Sequence, residues 1–357
     1  MIGKKSKSQI LYAVILTLLL PYSTYPLTVS DREVIIQSSL DGSLLKGSLT
    51  TPVGIHKTPA VLLIQGSGPL NRDEEVFGHS LLKDIAHFLG SYGITSLRMD
   101  RRGVGESEGL YLPLDLESFK SDSRDAFVYL RTLATIDTSR VGIVGHSLGG
   151  LIAAMTAPEL TGVNHLLLLA PPGVWGQQII TEQNLAWARL SGCTASNEHR
   201  IREISENLYS LIINGQNHTE DTETFSRLYL EMGSYLEPSL QNMFYPGPAD
   251  HAFMVFTMTH YRLAMQVDPE SIYLAIPCPI MVILGTKDTF TAPIRSYDVF
   301  ERVFLKAGCE ECQTIMLKNH NHHLQRCRSG HPSEISQISE SISQAALTEI
   351  LEWIEAH

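Results

Sequence analysis

A serine hydroxyl becomes an effective nucleophile only when the backbone presents it and a base lies within hydrogen-bond reach. Gly145-His146-Ser147-Leu148-Gly149 offers such a serine. The pentapeptide has the form G-x-S-x-G. Before it, Arg140-Val141-Gly142-Ile143-Val144 is short, apolar and β-prone; after it, Gly150-Leu151-Ile152-Ala153-Ala154-Met155 starts a helix rich in small residues. Strand, sharp turn and helix are the setting of a nucleophile elbow, which needs small residues two before and two after the serine. Gly145 and Gly149 supply them. The bland reading, a strand-to-helix turn that happens to hold a serine, loses ground because an acid and histidines follow.

Where an elbow of this kind carries the nucleophile, the acid comes next in the chain and the histidine after it. Ile283-Leu284-Gly285-Thr286-Lys287-Asp288 puts Asp288 just past a strand end. Asp268 is its rival, but Pro269 follows it and no strand precedes it; an Asp288 that only caps the next helix is the plainer alternative. The loop Lys318-Asn319-His320-Asn321-His322-His323-Leu324-Gln325 offers three histidines, and spacing does not choose among them. A metal cluster of His320, His322, His323 and His331 is the competing reading. It lacks a nearby carboxylate or a helical H-E-x-x-H, so neither a metal nor an organic cofactor is expected. An oxyanion needs backbone N–H donors. Leu148, just after the serine, supplies one; Ser67 supplies the other from a loop whose Gly66 and Gly68 permit close approach.

These groups need a scaffold that brings strand ends together. Glu33–Ser38 and Leu44–Thr51, joined across Asp41-Gly42, read as a hairpin. Further strands are expected at Ala60–Gln65, Ile94–Met99, Val141–Val144, His165–Ala170, Ile280–Leu284 and Thr314–Leu317. Helices are expected at Ser80–Gly90, Leu116–Ala134, Ile294–Ala307 and Ile338–Trp353. Such alternation predicts an α/β fold with a doubly wound, mostly parallel sheet. Residues 175–275 break the rhythm. They carry amphipathic helices at Asn184–Leu190, His199–Ile213 and Thr222–Leu236 and no strong strand. A segment that long is not a loop. It reads as a helical cap over the carboxyl ends of the strands, where such sheets bind ligands; a helical domain docked elsewhere is the alternative. The core then comprises 30–174, with the oxyanion loop and elbow, and 276–357, with the acid and histidines.

The first 29 residues read as a signal peptide or an uncleaved N-terminal anchor. Lys4, Lys5 and Lys7 precede the apolar run Ile10–Leu20, which is short for a membrane span and ends at Pro21; cleavage near Ser23 lacks a good small-x-small pattern. A secreted or periplasmic protein is expected, with no stable span in the mature chain. In that compartment one or two disulfides are expected among Cys193, Cys309, Cys312 and Cys327, with Cys278 a free core thiol. The chain of 357 residues is 43% hydrophobic and 18% charged, hence globular, and its net charge of −11 argues against nucleic acid as a partner. The sequon Asn217-His218-Thr219 reads as a surface loop, and His79 and His146 as packing or surface.

From about Glu33 onward the chain resembles the α/β-hydrolases, and within them the EstD-like bacterial carboxylesterases. Gln65-Gly66-Ser67-Gly68-Pro69-Leu70-Asn71-Arg72-Asp73-Glu74 is similar to that group's G-S-G-P-x-D-R-D-E loop. Asp100-Arg101-Arg102-Gly103-Val104-Gly105-Glu106-Ser107 is similar to its D-x-R-G-x-G-x-S turn, and Asn321-His322 with Gln325 to its N-H-x-x-Q motif. The resemblance implies an α/β-hydrolase fold and selects His322 as the histidine. Two positions depart from the group: Gln65 stands where His is common, and Leu148 where Glu is common. Arg72, Asp73, Asp100, Arg101 and Arg102 read as a structural charge network beside the site. The expectation is a serine carboxylesterase acting on small-molecule esters of short to medium acyl chains through Ser147, Asp288 and His322. An acyltransferase, a thioesterase or a peptidase on the same triad is the alternative, as is a catalytically idle binding module. Nothing in the sequence bears on oligomeric state.

Overall fold

The computed structural model describes residues 26–216 and 218–357. The N-terminal segment with its three lysines and apolar run lies outside the described residues, as does Asn217 of the sequon.

In chain order, β1 (Val29–Gln37), β2 (Leu44–Pro52) and β3 (Thr58–Ile64) are followed by a small hairpin of β4 (Glu75–Val76) and β5 (His79–Ser80). Next come α1 (Leu81–Ser91), β6 (Thr95–Met99), α2 (Leu116–Thr132), β7 (Ile136–His146), α3 (Leu148–Thr156) and β8 (Leu166–Leu169). Seven helices then run without a strand: α4 (Gln177–Leu190), α5 (Ala195–Asn214), α6 (Thr219–Ser234), α7 (Pro238–Phe244), α8 (Ala249–Phe256), α9 (Thr259–Ala264) and α10 (Pro269–Leu274). The chain returns through β9 (Ile280–Gly285), α11 (Pro293–Ala307), β10 (Gln313–Leu317) and α12 (Gln344–Ala356).

Eight strands form one sheet in the order β1-β2-β6-β3-β7-β8-β9-β10. The pairs β1–β2 and β2–β6 are antiparallel, and every pair from β6 to β10 is parallel. Side chains alternate across a strand, and here both faces are covered. Ala60, Leu62 and Ile64 of β3, Leu166 and Leu168 of β8, and Ile280, Val282 and Leu284 of β9 pack with α2, α3 and α11. Val61 and Leu63, Leu167 and Leu169, and Met281 and Ile283 pack with α1 and α12 on the other side. Hence β8 is four leucines in succession, all buried.

The closing helix differs from its sequence expectation. A 3₁₀ turn spans Pro332–Gln337, the chain then leaves helical geometry, and α12 begins only at Gln344. Ser343 caps it, its hydroxyl accepting from the Ala346 N–H at 3.2 Å. Ile342 is buried in the same cluster as Ile350 and Trp353, so it keeps its apolar contact from just outside the helix. An apolar residue at helical spacing is therefore no proof that the helix includes it.

The seven-helix segment has its own core. Leu185 and Trp187 of α4, Ile204 and Leu208 of α5, and Phe225 and Met232 of α6 meet there. Its ties to the rest of the fold cross the strand ends: Gln183 Nε2 donates to the Phe290 carbonyl at 2.6 Å and Tyr273 Oη to the Pro172 carbonyl at 2.9 Å. Among the described residues no helix is long and apolar enough to cross a membrane.

Cys309 and Cys312 are joined as a disulfide between α11 and β10, while Cys193, Cys278 and Cys327 are free. Burial pushes the Cys278 thiol up to about 12, as suits an inert core thiol. Non-reducing mass spectrometry of protein from its native compartment is therefore expected to give a single disulfide inside the peptide 309–312 and three alkylatable thiols; a cross-link from Cys193 or Cys327 contradicts this pairing.

Candidate active site

The carboxyl end of β7 runs directly into Ser147, which sits at φ 54°, ψ −122°. That conformation is strained for any residue with a Cβ. It persists because the chain around it is fixed: the Ser147 N–H donates to the Leu169 carbonyl at 2.8 Å, and Gly150 N–H donates to the Ser147 carbonyl at 2.9 Å. The two flanking glycines are required by close backbone approach. A Cβ on Gly145 would collide with the Gly149 carbonyl, and one on Gly149 with the Ile64 carbonyl at the end of β3.

Ser147 Oγ lies 3.0 Å from His322 Nε2, and His322 Nδ1 lies 2.8 Å from Asp288 Oδ2. All three residues are buried, and they come from loops after β7, β10 and β9. Burial works against charge on Asp288. The neighbouring His322, the Thr291 hydroxyl at 2.5 Å and the Phe290 N–H at 2.7 Å outweigh it and hold the carboxyl below its usual range. Asp268, the rival acid, instead caps α10, accepting from the Glu270 N–H.

The histidine loop owes its shape to Asn321 and Gln325. Asn321 Oδ1 accepts from the N–H groups of His323 and Gln325, both at 3.0 Å, and its amide donates to Gln325 Oε1 at 2.8 Å. His320 faces away, with Nε2 3.0 Å from Ser343 Oγ and Nδ1 2.9 Å from the Lys318 carbonyl. His323 is buried; burial, then His146, His322 and His79 nearby, push its pKa well below the usual imidazole value. His331 reaches Glu237 at 3.1 Å. Among the described residues no group of three or more His, Cys, Asp or Glu side chains is disposed to hold a metal ion.

After β3 the chain turns through Gln65-Gly66-Ser67. Arg101 Nη2 donates to the Gly66 carbonyl at 2.6 Å and to the Gln65 carbonyl at 3.0 Å, and the Gly66 N–H donates to Glu74 Oε1 at 3.3 Å. A trans peptide plane points its C=O and N–H in opposite directions. Fixing the Gly66 carbonyl on Arg101 therefore turns the Ser67 N–H the other way, and Gly66's own N–H is already used. Leu148, the first residue of α3, has an N–H with no acceptor within its helix. Ser67 and Leu148 both line a cavity of about 500 Å³ that also holds Ser147 and His322. Its remaining wall is mainly apolar and includes the aromatic rings of Trp187, Phe244, Phe256, Tyr261 and Phe290. Trp187 and Phe244 stack with centroids 3.6 Å apart.

The charge network is structural, as the sequence suggests. Arg72 pairs with Asp100 at 2.5 Å, Arg98 with Asp73 at 2.7 Å, and Arg102 with Asp122 at 2.6 Å. Arg101 departs from it. It meets carbonyls rather than a carboxylate, lies 4.1 Å above the Phe119 ring, and burial pulls its pKa down to about 10. Gln65, in place of histidine, donates to the Met99 carbonyl at 3.0 Å and so joins the ends of β3 and β6.

Sequence reasoning passed over Glu74 and His146. His146 is not on the surface; it is 2% exposed and hydrogen-bonds through both ring nitrogens, to Glu74 Oε1 at 2.6 Å and to the His322 carbonyl at 3.0 Å. A signal was present: a histidine ending an otherwise apolar buried strand must find polar partners. The rim aromatics of α7 and α8 were also missed, because those helices are too short to show a period.

Residues 61–335 match the Alpha/beta hydrolase family, and the chain belongs to that family. It is 25% identical over 331 residues to the esterase EstD of Thermotoga maritima, an alignment covering 91% of this chain and 68% of that one. It is also 25% identical over 315 residues to the polyketide transferase ATR5 of Stachybotrys chlorohalonatus, covering 86% and 95%. Among solved structures it shares its fold with the Pyrococcus furiosus esterase Pf2001, at a TM-score of 0.56 and 15% identity, over 92% of this chain and 90% of that one.

Proposed function

We propose that this hydrolase is a serine carboxylesterase working through an acyl-enzyme. The observation that carries the reading is the run of hydrogen bonds from the Ser147 hydroxyl through His322 to the buried Asp288, at 3.0 and 2.8 Å, at the floor of an apolar cavity. Ser147 Oγ attacks the ester carbonyl while His322 Nε2 takes its proton. The oxyanion is held by the N–H groups of Leu148 and Ser67, His322 returns the proton to the leaving alcohol, and a water deprotonated by His322 then releases the acid. Asp288 fixes the imidazole orientation and stabilises its cation. Apart from the ester and one water, the groups this cycle uses are side chains and main-chain N–H groups of the protein. Hydrolysis of p-nitrophenyl esters by purified protein, together with labelling of Ser147 by a fluorophosphonate, tests it. Absence of both in folded protein removes the reading and leaves a binding module of the same fold. The apolar run Ile10–Leu20 behind three lysines supports export, which fractionation of the native host tests.

Acyl transfer to an alcohol or thiol is the second reading. The likeness to a polyketide transferase and the apolar, aromatic-lined cavity support it. Product analysis with an added alcohol separates the two, because a transferase gives the new ester at the expense of free acid.

The helices of 175–275 are assigned as a cap that selects the acyl group, since Trp187 of α4, Phe244 of α7 and Phe256 of α8 line the cavity above Ser147. Trp187→Ala is expected to raise kcat/KM for longer acyl chains relative to acetate by at least roughly tenfold, since accommodating even one further methylene in an apolar pocket is worth about ten- to two-hundredfold. An unchanged chain-length profile across Trp187, Phe244 and Phe256 variants makes the segment an accessory domain instead.

A further inference from the structure

Glu74 and His146 are buried beside the reacting groups, yet the proposed cycle gives them no task. Each is only 2% exposed. Glu74 Oε1 accepts from the Gly66 N–H at 3.3 Å and faces His146 Nδ1 at 2.6 Å; Glu74 Oε2 is buried without a partner. His146 Nε2 lies 3.0 Å from the His322 main-chain carbonyl, and the two imidazole rings are 4.9 Å apart. One carboxylate oxygen thus meets the loop that carries Ser67 and the residue that precedes Ser147, and the imidazole goes on to the loop that carries His322.

We propose that Glu74 and His146 form a positioning pair which sets the oxyanion loop, the nucleophile and the catalytic histidine in register through one shared network. The proposal rests on the Ser147, His322 and Asp288 assignment above. The His322 carbonyl fixes one of the two ring hydrogens, and the proposed pair supplies the other. A carbonyl oxygen only accepts, so His146 Nε2 carries a hydrogen. In the proposed pair Glu74 is the carboxylate, which also only accepts, so Nδ1 carries one as well. The pair is an imidazolium held by a carboxylate, and a charge-assisted bond of this kind is short and directional. The titratable groups facing His146 are Glu74, from the segment before β4, Asp288 after β9, and His322 and His323 after β10. Burial acts against the imidazolium, but Glu74 outweighs it and the net shift of His146 is upward. The folded value lies above the unfolded one. The pair therefore contributes its stabilisation in full below the ordinary imidazole value and loses it as the pH rises through the folded one. Losing the Nδ1 proton leaves a lone pair facing the carboxylate, which pushes the loops out of register and lowers turnover on the alkaline side.

Three variants divide the network by atom. Glu74→Gln removes the charge that holds the imidazolium. His146→Gln places an amide near Nε2, keeping a donor for the His322 carbonyl while losing Glu74. His146→Asn places one near Nδ1 and does the reverse. Turnover is measured per fluorophosphonate-labelled site, so misfolded protein is not counted. In Glu74→Gln and His146→Asn, kcat is expected to fall about ten- to a hundredfold, the effect of displacing reacting groups by about 1 Å, while KM stays within about threefold. The alkaline limb of the kcat profile is expected to move to lower pH in Glu74→Gln. A merely structural role lowers the melting temperature and moves neither quantity. Wild-type kcat per labelled site with an unchanged pH profile in all three variants overturns the proposal. Should none of the three fold, nitrogen-15 histidine NMR of the wild-type protein decides. The assigned His146 imidazole remaining doubly protonated above the ordinary value of about 6.5 supports the pair, and a neutral His146 ring overturns it. A wild-type protein that neither turns over esters nor takes the label fails at the esterase reading instead.

Discussion

Ser147→Ala is expected to lower ester turnover by roughly four to six orders of magnitude while leaving the fold intact. The hydroxyl has one partner, His322 Nε2 at 3.0 Å, so its removal leaves no other buried group unsatisfied. The strain at φ 54° is unchanged, because alanine carries the same Cβ. What remains is the oxyanion loop and the cavity, which bind the ester but supply no nucleophile. The check is kcat on a p-nitrophenyl ester beside a thermal melt, with the variant purified in a strain lacking its own esterases. Wild-type-like turnover, or a fluorophosphonate adduct at another residue, excludes Ser147 as the nucleophile.

The second large effect separates the three neighbouring histidines. His322→Ala is expected to cost at least about a thousandfold in kcat, since it removes both the base and the later acid. His323→Ala is expected to stay within about tenfold: its ring is held neutral by burial and makes no bond to Ser147 or Asp288. His320→Ala is expected to act on stability rather than turnover. His320 Nε2 meets Ser343, the residue whose hydroxyl caps α12, and losing a cap partner costs about 1 kcal/mol. Melting temperature and kcat measured together on the three variants check the division. A dead His320 or His323 variant with an active His322 variant overturns the assignment of the base.

Much of the fold was legible because its strands are buried on both faces. The leucine run at β8 and the apolar β3, β7 and β9 need no tertiary information to be read as central strands. The elbow was legible for a different reason. Gly145 and Gly149 record a steric demand that any strand-to-helix turn of this sharpness makes locally. Asp288 carried a positional signal as well, standing just past the β9 strand end, where chain order asks for an acid.

Other features depend on what the chain meets in space. Ile338 and Ile342 repeat at helical spacing with Ile350, yet α12 starts at Gln344, because Ser343 caps it and Ile342 reaches the core from outside. Spacing in the sequence could not choose among His320, His322 and His323. Their separation is decided by Asn321, which folds the loop so that His322 alone of the three meets both Ser147 and Asp288. His146 read as packing or surface because its partners, Glu74 and the His322 carbonyl, are 72 and 176 residues away in the chain. The sequence by itself determined the central strands and the longer helices, and where a strained serine must sit, because both follow from local sterics and from the period of apolar residues. Which polar groups meet across the strand ends was decided only by the tertiary structure, since hydrogen bonds between distant loops leave no periodic trace in the chain.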